Sequence, residues 1–117
     1  MPYHNLDVYR KAYKLALDVH KTTLEFPKVE QYEMASQLRR ASKSIAANLA
    51  EGMGKQSSQG EVRRFIQMAI GSCDECRVWL EFSHDLGDLE KEELSEFDER
   101  FNEVGRMLRG VQKRYSR

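Results

Sequence analysis

Gln37-Leu38-Arg39-Arg40-Ala41-Ser42-Lys43-Ser44-Ile45-Ala46-Ala47-Asn48-Leu49-Ala50-Glu51-Gly52 is the stretch that decides the fold. Together with the preceding Met34, its apolar residues Leu38, Ala41, Ile45 and Leu49 recur at steps of three and four, the spacing of one face of an α-helix. A second line runs beside the first: Gln37, Arg40, Ser44, Asn48 and Glu51. A polar ladder against an apolar seam is unusual, because polar groups that lose water need partners. The ladder therefore reads as a hydrogen-bonded network that fixes helix register or a subunit contact, with Arg64 and Glu75 further along the chain as its expected partners. Gly52 stands where a helix end favours a residue that tolerates positive φ.

Working outward, the same periodicity recurs three more times. A first helix is expected from about Leu6 to Glu25, with Asn5 or Asp7 accepting from its free amides. It carries two seams: Val8, Ala12, Leu15 and Val19, and beside them Tyr9, Tyr13, Ala16, His20 and Leu24. Phe26-Pro27 ends it, since a residue before proline avoids the α region. The central helix is expected from about Glu30 to Gly52. Ser58-x-x-Glu61 reads as a capping box opening a third helix. That helix also carries two lines. One is Val62, Ile66, Ala69, Cys73, Cys76, Leu80 and Ser83; the other is Phe65, Met68, Ser72, Trp79, Phe82 and Leu86. Gly87 ends it, and Asp88 is placed to cap a fourth helix along Leu94, Phe97, Phe101, Val104, Leu108, Val111 and Tyr115. With short connectors and no strand alternation, the reading is one all-α domain over residues 1–117. Its expected architecture is an antiparallel up-down-up-down four-helix bundle.

Composition agrees with a chain of this kind and narrows its setting. At 117 residues there is length for one real core. No apolar run approaches the roughly 20 residues of a membrane span. The first residues lack the basic and apolar pattern of a secretory signal, so cytoplasmic residence and two reduced cysteines are expected. Net charge is zero but unevenly spread. Residues 81–103 hold 10 acidic and 2 basic side chains, whereas residues 104–117 hold 5 basic and none acidic. Five cations, Arg39, Lys43, Lys55, Arg63 and Arg64, are read as a cluster near the turn between the second and third helices. Further sets are Arg10, Lys11, Lys14 and Lys21 on the first helix, and Arg106, Arg109, Lys113, Arg114 and Arg117 at the end. Phosphate binding needs such cations unpaired on one face, and any contact with RNA or DNA would be led by the backbone. The competing reading is a solvated helix surface with cations paired to Glu51 and Glu61.

Three short patterns bear on chemistry. Cys73-x-x-Cys76 sits in mid-helix on the apolar seam, where a redox pair would need a helix N-terminus after a strand, so core packing is the favoured reading. Glu81-x-x-His84 matches one half of a di-iron bundle site and has no second copy to complete it. Ser83-His84-Asp85 is no triad, since consecutive helical residues diverge by about 100°. No nucleotide-binding glycine loop or nucleophile elbow is present. The expectation is a non-catalytic protein without metal or cofactor. The alternative is a small-molecule- or metal-binding bundle that uses these same residues.

The signature Q-L-R-R-A-x-x-S-I-x-x-N-L-A-E-G resembles that of the 23S rRNA intervening-sequence protein family. The flanking Phe26-Pro27, Tyr32, Glu61-x-x-Arg64-Phe65, Ala69, Gly71-Ser72, Glu75 and Leu86-Gly87 fit the same pattern. The likeness runs from about Leu6 to Leu108. It implies a small bacterial four-helix bundle. It also implies kinship with the accessory variability protein of diversity-generating retroelements, a branch that forms pentameric rings and engages reverse transcriptase and nucleic acid. That branch is distinctly basic; this chain is neutral. The first and third helices show more apolar lines than one bundle core needs, so the surplus line Phe65, Met68, Trp79, Phe82 and Leu86 is expected to be a subunit interface of a homo-oligomer, by resemblance a pentamer, the alternative being that it widens a single core. The function expected is that of an assembly or adaptor protein.

Overall fold

The computed structural model describes residues 2–115. Among them are four long helices and two short 3-10 turns, with no strand. Helices α1 (Asp7–Thr23), α2 (Met34–Met53), α3 (Gln59–Asp85) and α4 (Lys91–Arg114) follow one another through short connectors. α1 packs on α2, α2 on α3, α3 on α4, and α4 returns to α1, which is the antiparallel up-down-up-down bundle with a square section. The molecule measures 45 × 22 × 20 Å. The long dimension follows from α3, whose 27 residues at about 1.5 Å each span about 40 Å.

Each helix buries the stripe that its spacing foretells. Val8, Ala12, Leu15 and Val19 meet Leu38, Ala41, Ile45 and Leu49 of α2 in one continuous core. The first line of α3, from Val62 to Ser83, is buried without exception. On α4, Phe97, Phe101, Val104, Leu108 and Val111 are buried, and the end members Leu94 and Tyr115 are half-buried. The α2–α3 contact is the most extensive and the α1–α4 contact the sparsest. That open side is spanned by ion pairs, Lys11 to Glu103 at 3.5 Å and Arg100 to Asp18 at 2.9 Å. The acidity of residues 81–103 is thus partly spent on neighbouring helices, as Arg77 to Asp98 at 2.8 Å also illustrates.

Several helix ends differ from expectation. α1 begins after Leu6 with no side-chain cap; Asp7 is instead paired with Arg10 on its own helix. α2 starts at Met34, because Lys28–Gln31 turns as a 3-10 segment. That turn brings the Gln31 amide back to donate to the Thr23 and Phe26 carbonyls, both at 2.9 Å, which satisfies groups left open where α1 stops. Ser58 does accept from the Glu61 amide at 3.3 Å, but the Glu61 side chain bonds Arg64 rather than closing the box. α4 is capped by Glu90 and Glu93 reciprocally, not by Asp88. The Asp88 amide belongs to the end of α3: it donates to the Ser83 carbonyl at 2.8 Å while Gly87, at φ +86°, donates to that of His84. These two bonds form a Schellman motif, and its left-handed residue is the glycine.

Gly52 has a different role from the expected terminal one. It is helical and buried, and a Cβ there would lie 3.0 Å from Cβ of Phe65. The glycine is required by the close approach of α2 to α3, not by a positive φ.

Candidate interaction surfaces

Two contacts set the register of α2 against α3. Gly52 faces Phe65, and the Ser44 and Ser72 hydroxyls are bonded at 2.7 Å. In that antiparallel register Asn48 is level with Met68, Arg40 with Cys76 and Gln37 with Trp79. The polar ladder of α2 and the surplus line of α3 therefore share one side of the bundle. Its α3 half is a ridge of Met68, Trp79, Phe82 and Leu86. Met68, Phe82 and Leu86 are 43, 51 and 56 % exposed, and Trp79 is half-buried. The Trp79 and Phe82 rings touch at a tilt of 43° with centroids 5.8 Å apart, and the indole N–H donates to the Glu75 carboxylate at 3.0 Å. Phe65 does not belong to this ridge. At 8 % exposure it is sealed against Gly52, with the Arg64 guanidinium 4.7 Å above its ring and the Lys55 ammonium at 5.5 Å.

The ladder is not a connected network within one protomer. Ser44 bonds Ser72, and the Asn48 amide donates to the Ser44 carbonyl at 2.9 Å. Arg40 and Glu51 are exposed, and the expected partners are otherwise engaged: Arg64 with Glu61, Glu75 with Trp79. Most of the ladder is half-open to solvent alongside the ridge, so the pressure for internal partners that buried polar groups feel is relaxed.

On the adjacent side of α2 lies a second apolar surface, a groove of about 470 Å³ against α1. Ala16, Ala46 and Ala47 form a floor of small residues; Tyr9, Tyr13, Leu17, His20 and Lys43 form its walls. The row Tyr3, Tyr9, Tyr13 runs ring to ring along one edge. Burial, then Lys43 and Arg39, hold His20 below the usual imidazole range. The second seam of α1 announces part of this groove. Leu17 and the paired alanines Ala46-Ala47 were the missing signal: small residues on a helix face invite close approach by another element.

The five cations do not form one cluster. Arg39 and Lys43 stand three to four helical turns from Lys55, about 18–24 Å along α2. Arg39 points inward, its guanidinium donating to the Thr23 hydroxyl at 2.8 Å and the Gln31 amide oxygen at 2.7 Å. Arg63 donates to the Tyr115 carbonyl, tying α3 to the end of α4. Arg64 is paired with Glu61, Lys55 lies over Phe65, and Lys43 borders the groove. Of the C-terminal set, Arg117 lies outside the described residues.

The cysteines are core side chains. Burial, then Asp74, pushes the Cys73 thiol up to about 12, and burial moves Cys76 upward as well, so both are held as thiols at neutral pH. The His84 ring bonds the Leu89 carbonyl at 2.9 Å and pins the α3–α4 turn. Among the described residues no group of three His, Cys, Asp or Glu side chains stands close enough to hold a metal ion. No helix among them is long and apolar enough to cross a membrane.

No curated protein matches the chain. A crystal structure of a protein of unknown function from the S23 ribosomal protein family of Bacteroides thetaiotaomicron superposes with a TM-score of 0.80 at 21% identity, covering 91% of this chain and 98% of that one. At that identity the likeness speaks for the fold alone. The family model for 23S rRNA-intervening sequence proteins matches residues 4–110, the span holding the ladder, the ridge and the groove, and the chain belongs to that family.

Proposed function

We propose that this protein is a non-catalytic assembly protein whose working form is a homo-oligomer, built by contacts through the surfaces on either side of α2. The observation that carries this reading is the ridge: Trp79, Phe82 and Leu86 group their apolar side chains near the end of α3, with exposed Met68 farther along the same line past Ser72 and Glu75, beyond what the bundle buries for itself. Contiguous apolar patches of that kind mark interaction sites on soluble proteins. Adjacent sides of a square bundle face about 90° apart, and subunits joined through two such sides close into rings of about four or five. The pentamer implied by the family likeness is within that range. Closure matters, because the same contact left open would propagate as a filament.

Light scattering at micromolar concentration and moderate salt tests the reading. The expected mass is a multiple of the 13.7 kDa chain. Phe82→Glu is expected to release single chains with an unchanged helical circular-dichroism spectrum. A wild type that stays at the mass of one chain rejects the proposal.

A further inference from the structure

We infer that the contact is asymmetric: the α3 ridge of one copy seats in the α1–α2 groove of the next. This pairing rests on the self-assembly reading and goes past it by naming which surface meets which.

Shape argues first. The ridge is convex, with the exposed Phe82 and Leu86 standing out from the helix and Phe82 leaning on the half-buried Trp79 ring. The groove is concave, and its alanine floor admits bulky side chains near the α2 backbone. Two ridges brought together leave each other's rings without a pocket, and two grooves leave a void. Only ridge in groove fills the space to the density expected of a stable interface.

Charge argues second and independently. On the ridge line between Met68 and Leu86 the charged side chain is Glu75; Arg77 is held by Asp98, and Glu81 borders Lys91 and Asp98, both on the α4 side. The groove lining holds Lys43 and His20 and no carboxylate. A symmetric ridge-to-ridge contact gives Glu75 no cation to meet, whereas ridge in groove brings it toward Lys43 and His20. Like charges facing each other across an interface suppress the wrong pairing, and opposite ones fix the register.

The test uses two full-length variants, each broken on one side. Ala47→Glu plants a carboxylate on the groove floor; Phe82→Glu does so on the ridge. Each alone is expected to be a folded single chain. Mixed in equal amounts they are expected to form a 1:1 dimer and nothing larger, because one intact groove meets one intact ridge. Failure of the mixture to dimerise, while the wild type assembles, overturns the pairing. So does either variant remaining fully assembled on its own, which is the result a symmetric contact gives. A wild type that is itself a single chain overturns the assembly reading instead, so the two failures are told apart. Should Ala47→Glu fail to fold, charge reversal takes its place. Lys43→Glu is expected to weaken assembly about tenfold, and adding Glu75→Lys in the same chain to restore it. No restoration counts against the pairing.

Discussion

α3 carries two lines of similar spacing with opposite fates. Val62, Ile66, Ala69, Cys73, Cys76, Leu80 and Ser83 are sealed, while Met68, Phe82 and Leu86, one strip over, stay open. The difference comes from the neighbour and not from the line itself. α2 has 20 residues against 27 for α3, so in the observed register it begins level with Ser83 and leaves the end of the ridge with no helix alongside. Where α2 does come close, at Gly52, even a member of the second line, Phe65, is buried. Periodicity names the faces a helix offers; the length and approach of its neighbours decide which are covered.

The largest way to break this contrast is to truncate one side chain from each line. Leu80→Ala is expected to cost about 2–5 kcal/mol by leaving a cavity in the core. Phe82→Ala should stay within about 0.5 kcal/mol, as an exposed site does. Urea unfolding at concentrations where single chains dominate measures both, and similar losses would mean that the ridge is core. Next comes the residue that sets the helix spacing. Gly52→Ala is expected to cost about 1–3 kcal/mol, because the added methyl meets Phe65 Cβ at 3.0 Å, even though alanine is the better helix former. A gain in stability would show that α2 and α3 separate easily.

The smallest expected effect on stability concerns the sparse side. Lys14 first, then Arg100, hold the Asp18 carboxyl below its usual value. A depressed carboxyl stabilises the fold fully above its unfolded pKa and loses that contribution as pH falls through the lowered folded-state value. Asp18→Asn should therefore cost less than about 1 kcal/mol at neutral pH and remove part of the acid dependence of unfolding. Acid titrations of the two proteins that superimpose would rule this out. The sealed line gives a chemical readout as well. Neither Cys73 nor Cys76 should react with iodoacetamide at pH 8 until the chain is unfolded, since both are buried and protonated. Labelling of the native protein at the rate of a free thiol would contradict the burial.

The four helices and their core stripes were legible because burial follows the 3.6-residue period, as the α4 line from Leu94 to Tyr115 illustrates. Register and length mismatch were not, since they depend on partners distant in sequence. Gly52 reads as a helix end because local sequence cannot know that Phe65 will press against it. Arg39 reads as a surface cation because its acceptors, Thr23 and Gln31, come from the other side of a turn whose 3-10 geometry the apolar pattern does not encode. Most of the ladder and the surplus line were legible as residues. That they share a side, with a groove around the corner, emerged only when the helices were set side by side.

The thin seam between α1 and α4 has a consequence in time. α1 is held by α2 on one flank and, on the other, by few contacts and by ion pairs that salt weakens. Such an element opens at lower free energy than the rest of a domain. In amide hydrogen exchange, α1 should therefore shed its protection before the α2–α3 hairpin, and earlier still as ionic strength rises. Because α1 also supplies one wall of the groove, its fraying would set how often that groove is ready to be filled.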